Sequence, residues 1–330
     1  MVAADDRTGA FEVAALFAAV VGPVRVTVGV APEGSGVVDL GSRGLATEDA
    51  AARAALVDSA PSTWTAHKID STLRGNWAAE LLARATVSGR RVVVVPGWPD
   101  LGRTCVGGVV KVHGEAIGSL LDHMPDARLV ADEVGLREWL ADDGEVAVCD
   151  VPDTAAMLAL ASVVADAGVM IAGPAGPLGA SFAAHFAHFA HFARFDPAPM
   201  PTIDGPILVI CGSAHAASHE QIERLTASRP DINILSAPDA EGPLHARVAH
   251  ALAEQALARA AQARPSTIVI LGGDTAAAFL GDEPRVVGGT VAVGMPWSHD
   301  AQGRGPLVIT KAGGFGGSDA LVELLRGETV

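Results

Sequence analysis

Nine consecutive residues, 68–76, contain two cations, a carboxylate, two hydroxyls and an amide in a stretch that packing alone would not require to be polar. The run from Trp77 to Ala85 that follows predicts a helix, and backbone N–H groups at a helix N-terminus bind anions. Arg74 carries a planar fork that fits a carboxylate or a phosphate. Asp70 is suited to accept a proton from a substrate hydroxyl. We therefore interpret Asp70 and Arg74 as catalytic residues, and Lys68 and Ser71 as substrate-binding residues.

A structural role is the alternative for the same stretch. Asp70 and Ser71 would then cap the helix, and Arg74 would form an exposed ion pair that contributes little stability. The concentration of functional groups favours ligand binding over this alternative.

Two adjacent carboxylates, Asp5 and Asp6, stand where a short first strand should end and a helix should begin. Adjacent side chains diverge there, so the two acids should have different functions. One would act on a substrate hydroxyl as general base, and the other would cap the helix, although capping by both is the structural alternative. We assign Asp6 a catalytic role and Asp5 a substrate-binding role, and whether Asp6 or Asp70 is the base stays open.

Two further arginines, Arg43 and Arg103, each follow an apolar run together with a hydroxyl residue. Ligands of parallel sheets bind at the carboxyl ends of the strands, so both arginines should reach the anionic end of the substrate beside Lys68 and Arg74. Either one alone would more often be a solvated surface charge.

The second half of the chain repeats strand, glycine loop and helix three times, beginning at Ile207–Cys211, Thr267–Leu271 and Leu307–Thr310. Glycines permit close approach of backbone N–H groups to phosphate, and none of these loops has the Walker pattern. Lys311 could meet a phosphate oxygen, while Asp274 and Thr275 could bind ribose, phosphate or a magnesium-bound water. Glycine loops also arise simply to make tight turns, but three of them in one half indicate nucleotide binding. The nucleotide-binding candidates from these loops are Ser213, Gly272, Gly273, Asp274, Thr275, Lys311, Gly313 and Gly314.

Short apolar runs alternate with alanine-rich helical stretches, which predicts an α/β fold with largely parallel sheets flanked by helices. A chain of 330 residues fits two domains with an active-site cleft between them. Three prolines in the segment 195–201 suggest the boundary. We predict a substrate-binding domain over 1–195 and a nucleotide-binding domain over 196–330.

Periodicity gives the expected elements of the first half. The predicted strands are Arg25–Val30, Gly36–Leu40, Arg91–Val95, Val146–Asp150 and Val169–Ala172. The predicted helices are Phe11–Val20, Thr47–Asp58, Trp77–Ala85 and Asp153–Ala167.

Composition excludes several classes of function. A formal charge of −15 argues against a nucleic-acid surface, and no apolar run is long enough to span a bilayer. The first ten residues lack an apolar signal core, which predicts a cytoplasmic protein. Cys105, Cys149 and Cys211 are widely spaced and suit reduced, buried thiols rather than a zinc site.

A triplet repeat places His185, His188 and His191 at every third residue, where neighbouring imidazoles of a helix could share a metal. No acidic ligand stands nearby, so we prefer packed phenylalanines with partly exposed histidines and predict no metal-binding residues.

Taken together, these motifs resemble the four-carbon acid sugar kinase family. The resemblance is carried by 4–10, Ser42-Arg43, 68–76, 102–104, Gly212-Ser213 with Gln221, 272–275, 294–296 and 311–316. It implies phosphorylation of a threonate, erythronate or oxo-tetronate with ATP and Mg²⁺ as cofactors, and it adds Gly294 to the nucleotide-binding candidates. The expected partners are the sugar acid and ATP, with a possible homodimer.

Departures from the family pattern carry expectations of their own. Arg7 replaces an apolar or aromatic residue, which could alter the pocket, and the segment between Gln221 and Thr267 should lack a strand's worth of sequence. A kinase-like protein that binds ligands without turnover is therefore the alternative function. A nicotinamide-dependent dehydrogenase is disfavoured because no Gly-x-Gly-x-x-Gly element follows the first strand.

Overall fold

The computed structural model describes residues 1–58, 62–187, 198–237 and 243–326 of the chain. The strands of its first part are Val2–Ala4 (β1), Val24–Val28 (β2), Val37–Asp39 (β3), Thr65–Lys68 (β4), Val92–Val94 (β5), Arg103–Val106 (β6), Val109–Val112 (β7), Glu115–Ser119 (β8), Arg128–Val130 (β9), Val146–Cys149 (β10) and Met170–Gly173 (β11). The helices of this part are Arg7–Val21 (α1), Thr47–Ala55 (α2), Trp77–Ser88 (α3), Glu133–Ala141 (α4), Thr154–Val164 (α5) and Ala175–Ala187 (α6).

The second part has a similar alternation of strands and helices. Its strands are Ile207–Cys211 (β12), Asn233–Ser236 (β13), Thr267–Leu271 (β14), Arg285–Ala292 (β15), Met295–Asp300 (β16) and Leu307–Lys311 (β17). Its helices are Ala216–Ser228 (α7), Pro243–Ala263 (α8), Gly273–Leu280 (α9) and Ala320–Leu325 (α10). The predicted α/β fold with a large, mostly parallel sheet flanked by helices is confirmed.

Fourteen strands form one continuous sheet in the order β13-β12-β14-β17-β16-β15-β2-β3-β1-β4-β11-β5-β10-β9. The eight strands from β2 to β9 are all parallel, and so are the four from β13 to β17. The antiparallel hairpin of β15 and β16 lies between these two sets, and β15 pairs with β2. The two halves are therefore joined edge to edge by backbone hydrogen bonds.

The reversals at this hairpin make β1 and β17 run in opposite directions across the sheet. Five neighbouring pairs separate the two strands, and a twist of roughly 20–25° per pair turns the strand direction by roughly 100–125°. Residues beyond the carboxyl ends of strands from both parallel sets line one cleft, an arrangement that sheet twist favours.

Helix α1 lies where the two halves meet. It packs against β2, β3 and α6 of the first half and against β15, β16 and α9 of the second. Near its start, Arg7 donates from Nε to Asp39 Oδ2 (2.6 Å) and from Nη2 to the carbonyl of Gly281 (2.9 Å), which follows α9. The cleft is thus assembled by α1 and the shared sheet.

Several sequence-based expectations change in detail. Helix α1 begins four residues before its expected start at Phe11, because Asp6 caps it. The segment between Gln221 and Thr267, expected to be a strand's worth of sequence shorter than in the family, contains one strand, β13. A separate three-stranded antiparallel sheet of β6, β7 and β8 was not anticipated. The predicted domain boundary falls among residues 188–197, which lie outside the described residues, so it stays a prediction.

Within the described part of the chain, every helix is too short or too polar to span a membrane.

Candidate active site

A cleft of about 750 Å³ lies between the two halves and is lined by residues from both. The predicted site residues that line it are Asp6, Arg43, Lys68, Asp70, Ser71, Arg74, Arg103, Ser213, Gly272, Gly273, Asp274, Gly294, Gly313 and Gly314. Strand ends explain this convergence, since these residues follow β1, β3, β4, β12, β14 and β17 or lie in the loops beside them.

Asp6 lies at the point where the two halves of the cleft meet. It is the N-cap of α1, and its Oδ1 accepts from the N–H of Gly9 (2.8 Å) while its Oδ2 accepts from Thr8 Oγ1 (2.8 Å). Its Oδ2 also lies 3.1 Å from Arg43 Nη1. A Cβ placed on Gly273, at the start of α9, would be only 3.1 Å from this same oxygen. Asp6 therefore lies against the beginning of α9.

Asp5 has a different environment from its neighbour, as expected. It is fully buried and accepts two hydrogen bonds from Arg43, from Nε to Oδ2 (2.6 Å) and from Nη2 to Oδ1 (3.0 Å). Burial, and then the Asp6 carboxylate, raise the pKa of Asp5 to about 6 against the opposing charge of Arg43. Gly75 lies against this pair. A Cβ on residue 75 would be only 3.2 Å from Asp5 Oδ2, and the φ of +84° also favours glycine there. Asp5 positions Arg43 instead of facing the cleft, so its predicted contact with substrate is corrected.

Asp70 and Arg74 form a two-point ion pair with each other. Arg74 donates from Nε to Oδ2 (3.0 Å) and from Nη2 to Oδ1 (2.8 Å), and Thr72 donates to Oδ2 from both its N–H and its hydroxyl. Arg43 Nη2 lies 3.2 Å from Oδ1. Burial opposes ionisation, but the hydrogen bonds from Arg74 and the charges of Arg43 and Arg74 outweigh it and hold the pKa of Asp70 well below its usual range.

This pairing bears on the expected function of Arg74. Its fork is occupied by Asp70, although 65% of the side chain is exposed. Its Nη1 has no partner among the described residues and the side chain lines the cleft, so binding of a substrate carboxylate by Arg74 stays a prediction. Asn76 holds the loop in place by donating to the carbonyls of Ser42 (3.3 Å) and Leu45 (3.0 Å).

Two other cations face the cleft with donors to spare. Lys68 Nζ donates to the carbonyl of Ile69 (2.9 Å) and lies 3.8 Å from Glu12 Oε2. Arg103 donates from Nη1 to the carbonyl of Leu101 (2.6 Å), and its buried Nε has no partner among the described residues. Its guanidinium also lies 5.6 Å from the ring centre of Phe315, which belongs to the opposite wall.

The opposite wall is made of glycine loops and contains few charged side chains. Gly272 is the N-cap of α9 with φ +107° and supplies no side-chain cap, so the first N–H groups of this helix face the cleft. Helix α7 supports the glycine loop that follows β17, here called the third loop, because Ser218 Oγ donates to the carbonyl of Gly313 (2.9 Å). Gln221 Nε2 is within hydrogen-bonding distance of three successive carbonyls of the same loop, those of Phe315, Gly316 and Gly317.

Two nucleotide-side predictions need correction. Lys311 is completely buried at the end of β17, and its Nζ donates to the carbonyls of Ala312 and Gly313, both at 3.1 Å. Burial lowers the pKa of this ammonium to about 8. It therefore supports the loop from behind and does not reach a phosphate. Thr275 is also buried. A Cβ on Gly212 would lie 2.0 Å from the Thr275 hydroxyl, so Thr275 packs against the glycine loop that follows β12, here called the first loop.

The residues present fit a magnesium nucleotide. The helix start and the glycine loops offer backbone N–H groups to phosphates, and Asp6 and Asp274 bring two carboxylates to the same cleft. Mg²⁺ is typically bound through one or two carboxylates together with the phosphates. No group of three or more histidine, cysteine or acidic residues that could hold a metal occurs within the described ranges.

Sequence reasoning missed several residues that line the cleft: Thr8, Glu12, Trp98, His113, His215 and Phe315. Glu12 had a visible signal, because it and Arg7 are the two charged residues of the otherwise apolar helix α1. His113 had none, because it reaches the cleft from the unanticipated sheet of β6, β7 and β8. Arg7 does not line the cleft, so its expected effect on the pocket is corrected to a structural role.

The histidine repeat is described only in part. His185 is buried in α6 and lies 2.6 Å from Asp166 Oδ1 through its Nδ1. His188 and His191 lie outside the described residues.

Comparison with known proteins shows a likeness in sequence for the first part of the chain and a likeness in fold for the whole chain. Residues 1–128 match the family model described as the sugar-binding N-terminal domain. A D-threonate kinase of Cupriavidus necator is 38% identical over 127 residues, and the alignment covers 36% of this chain and 30% of that relative.

Solved structures extend the likeness of fold to the whole chain. Haemophilus influenzae protein HI1011, described by the family model DUF1537, is 21% identical with a TM-score of 0.71 over 100% of both chains. A protein of Salmonella typhimurium LT2 with the provisional name tRNA synthase is 19% identical with a TM-score of 0.76 over 98% of both chains. The resemblance to the four-carbon acid sugar kinase family that the motifs indicate is thus confirmed, through a sugar-binding domain and a threonate kinase relative that match the first part of this chain.

Proposed function

We propose that this protein is an ATP-dependent kinase that phosphorylates a hydroxyl of a four-carbon sugar acid of the threonate, erythronate or oxo-tetronate type. One observation carries the proposal: Asp6 and the cations of the sugar-binding part lie in the same cleft as the glycine loops, with Asp6 close to the start of α9. The D-threonate kinase relative supports the reaction class. A homodimer remains a prediction from the two-part architecture.

Phosphoryl transfer requires alignment, charge neutralisation and exclusion of water more than covalent chemistry by the protein. Bound Mg-ATP supplies the phosphoryl group and neutralises charge on its phosphates. The chain's own contribution is a cationic wall that orients the acid and a backbone wall that holds the phosphates. Arg43 is fixed by Asp5, Asp6 and Asp70 and forms the rigid centre of the cationic wall.

Asp6 is the better candidate for the base that accepts the hydroxyl proton. Both oxygens of Asp70 are engaged by Arg74, and its pKa lies well below its usual range, which makes it a weak base. Both oxygens of Asp6 are engaged as well, by Thr8, Gly9 and Arg43. Position favours Asp6, because it lies beside the helix start where phosphates would bind. Asp70 then serves to hold Arg43 and Arg74 in place.

The alternative, a kinase-like protein without turnover, was based on Arg7 and on a shortened second half. Arg7 lies away from the cleft, and β13 is present, so neither feature favours it. The test is an ADP-release screen with Mg-ATP across both enantiomers of threonate and erythronate and the oxo-tetronates, with calorimetric binding of each acid and of ATP. ADP release with one of these acids supports the kinase. Binding of an acid and of ATP with no ADP release would favour the alternative, and absence of acid binding would overturn both.

A further inference from the structure

Glu12 occupies an unusual position for a charged residue. It lies on α1 between Phe11 and Val13, both buried in the main core, yet its side chain lines the cleft with 17% exposed. Its Oε2 faces Lys68 Nζ at 3.8 Å, beyond ordinary hydrogen-bond length. Its Oε1 is buried and has no hydrogen-bond partner within the described residues. A buried acceptor left unpaired is costly, which points to a ligand that supplies a donor.

Arg103 presents the complementary case on the same side of the cleft. Its Nε–H is buried without a partner among the described residues, while its Nη1 is fixed by the carbonyl of Leu101. Glu12 and Arg103 influence each other electrostatically, each favouring the charged form of the other. They are not paired by a direct ion pair among the described contacts. Two residues that line the same cleft therefore carry one unpaired acceptor and one unpaired donor among the described residues.

The chemistry of a molecule that would satisfy both follows from these two groups. A hydroxyl donates to a carboxylate oxygen, and a carboxylate accepts from a guanidinium N–H in a charge-assisted bond. Arg74 and Arg43 are less suited to the carboxylate, because their donors are engaged by Asp70 and by Asp5. A hydroxy acid is the smallest class that carries both groups.

We propose that Glu12 and Arg103 recognise opposite ends of the substrate: Glu12 Oε1 accepts a hydrogen bond from a hydroxyl that is not phosphorylated, and Arg103 Nε donates to the carboxylate. This inference rests on the proposed function and goes beyond it by assigning the residues that distinguish a polyhydroxy acid from simpler acids. Lys68, between Gly9 and Glu12, supplies a second cation to the same pocket. Both residues bind substrate and take no part in proton transfer.

The experiment measures binding by calorimetry with three matched probes. The first is whichever threonate or erythronate stereoisomer the wild-type protein binds most tightly. The second is its primary amide, which lacks the carboxylate charge, and the third is 4-hydroxybutanoate, which lacks the inner hydroxyls. The variants are Glu12→Met, which keeps the length of the side chain without the carboxylate, and Arg103→Met, which removes the guanidinium, with Glu12→Gln and Arg103→Lys as conservative variants.

Glu12→Met should reduce the preference for the polyhydroxy acid over 4-hydroxybutanoate by about tenfold and leave the preference for acid over amide unchanged, since one charge-assisted hydrogen bond is lost. Arg103→Met should show the reverse pattern. Glu12→Gln, which keeps an acceptor, should lose less. ATP affinity should stay unchanged in all four variants.

Equal weakening of all three probes by Glu12→Met, or no change in either preference, would overturn the inference. Failure of the proposed function gives a different result. A wild-type protein that binds the acids but releases no ADP refutes the kinase, while the binding preferences still decide the assignment of Glu12 and Arg103. Failure of the wild-type protein to bind any of the acids refutes both.

Discussion

The two walls of the cleft are built in different ways. On the sugar-binding side, charged side chains dominate and mostly engage each other, as in the Asp5 pair with Arg43 and the Asp70 pair with Arg74. On the glycine-loop side, the groups that face the cleft belong largely to the backbone, and the nearest cation, Lys311, is buried behind its loop.

This difference has a physical reason. A small hydroxy acid has few groups, so it must be recognised by individually placed donors and acceptors, and pairing between side chains fixes those donors before the ligand arrives. A polyphosphate carries charge over many oxygens and can be held by successive N–H groups and a helix N-terminus. Mutations on the two walls should therefore separate acid binding from nucleotide binding.

The largest effect should follow from Asp6→Asn, at the junction of the walls. Asparagine also caps helices well, so α1 should stay folded while the proton acceptor is lost. We expect kcat to fall by about 10²- to 10⁴-fold with acid and ATP affinities changed only a few-fold. Steady-state ADP release with calorimetric binding measures this split.

Asp70→Asn is the matched comparison for this variant. It should mainly loosen Arg43 and Arg74 and weaken acid binding, because those arginines lose a shared anion. If Asp70→Asn were to abolish turnover while Asp6→Asn remained active, the base would be Asp70 and the proposed assignment would be reversed.

A smaller effect, confined to the nucleotide, should follow from Gly313→Ala. The added Cβ would lie 2.3 Å from Ser213 Oγ and 3.0 Å from His215 Cβ, so the first and third loops must separate. ATP affinity should fall by about tenfold or more while acid affinity is kept, since the loss of close packing displaces the backbone donors. Gly317→Ala is the control, because a Cβ there meets nothing within 4 Å. Equal losses in both variants would argue against a phosphate cradle at Gly313.

Arg74→Ala should have a weaker effect on the opposite wall. The side chain is 65% exposed and helps to fix Asp70 through a two-point ion pair. We expect acid affinity to fall by about 3- to 10-fold and ATP affinity to remain unchanged. Arg74→Lys should lose less acid affinity than Arg74→Ala, because lysine keeps one point of contact with Asp70. A fall of a hundredfold or more would mean that Arg74 leaves Asp70 and binds the acid directly.

Local sequence was sufficient for much of the site. The stretch 68–76 and the acidic pair at 5–6 stand beside strands whose apolar runs are clear, and their position at strand ends follows from the α/β pattern. Which side chains pair was not readable, because Arg43 and Asp5 are 38 residues apart and meet only in the folded chain. The continuous sheet also escaped notice, since the β15–β2 pairing joins segments more than 250 residues apart.

Lys311 shows why one prediction failed. A lysine beside a glycine loop suggests phosphate binding, yet all five residues of β17 are buried, as expected for an inner strand covered on both faces. The strand continues through Lys311, so the side chain turns into the protein, and its ammonium satisfies loop carbonyls instead. One of its neighbouring strands, β14, comes well before β17 in the sequence, so the burial of the strand end is not visible from the local residues alone.

The same burial makes Lys311 testable through stability. Its pKa in the folded state is about 8, against an ordinary value of 10.5. Below pH 8 Lys311 is protonated in both the folded and the unfolded protein, and burial of the ammonium destabilises the folded state to its full extent. Between pH 8 and 10.5 the unfolded chain binds more protons, so stability from this group rises with pH. The free energy of unfolding of the wild-type protein relative to Lys311→Met should therefore increase by about 1 kcal/mol per pH unit in this window.

Urea unfolding of both proteins from pH 7 to 10.5 measures this difference. The chain has no tyrosine, and the buried Cys105 and Cys149, whose thiol pKa values burial raises, are common to both proteins and cancel in the comparison. A difference that stays flat across the window would mean that Lys311 keeps its ordinary pKa. Its ammonium would then reach solvent at the cleft, and the contrast between a side-chain wall and a backbone wall would fail at this residue.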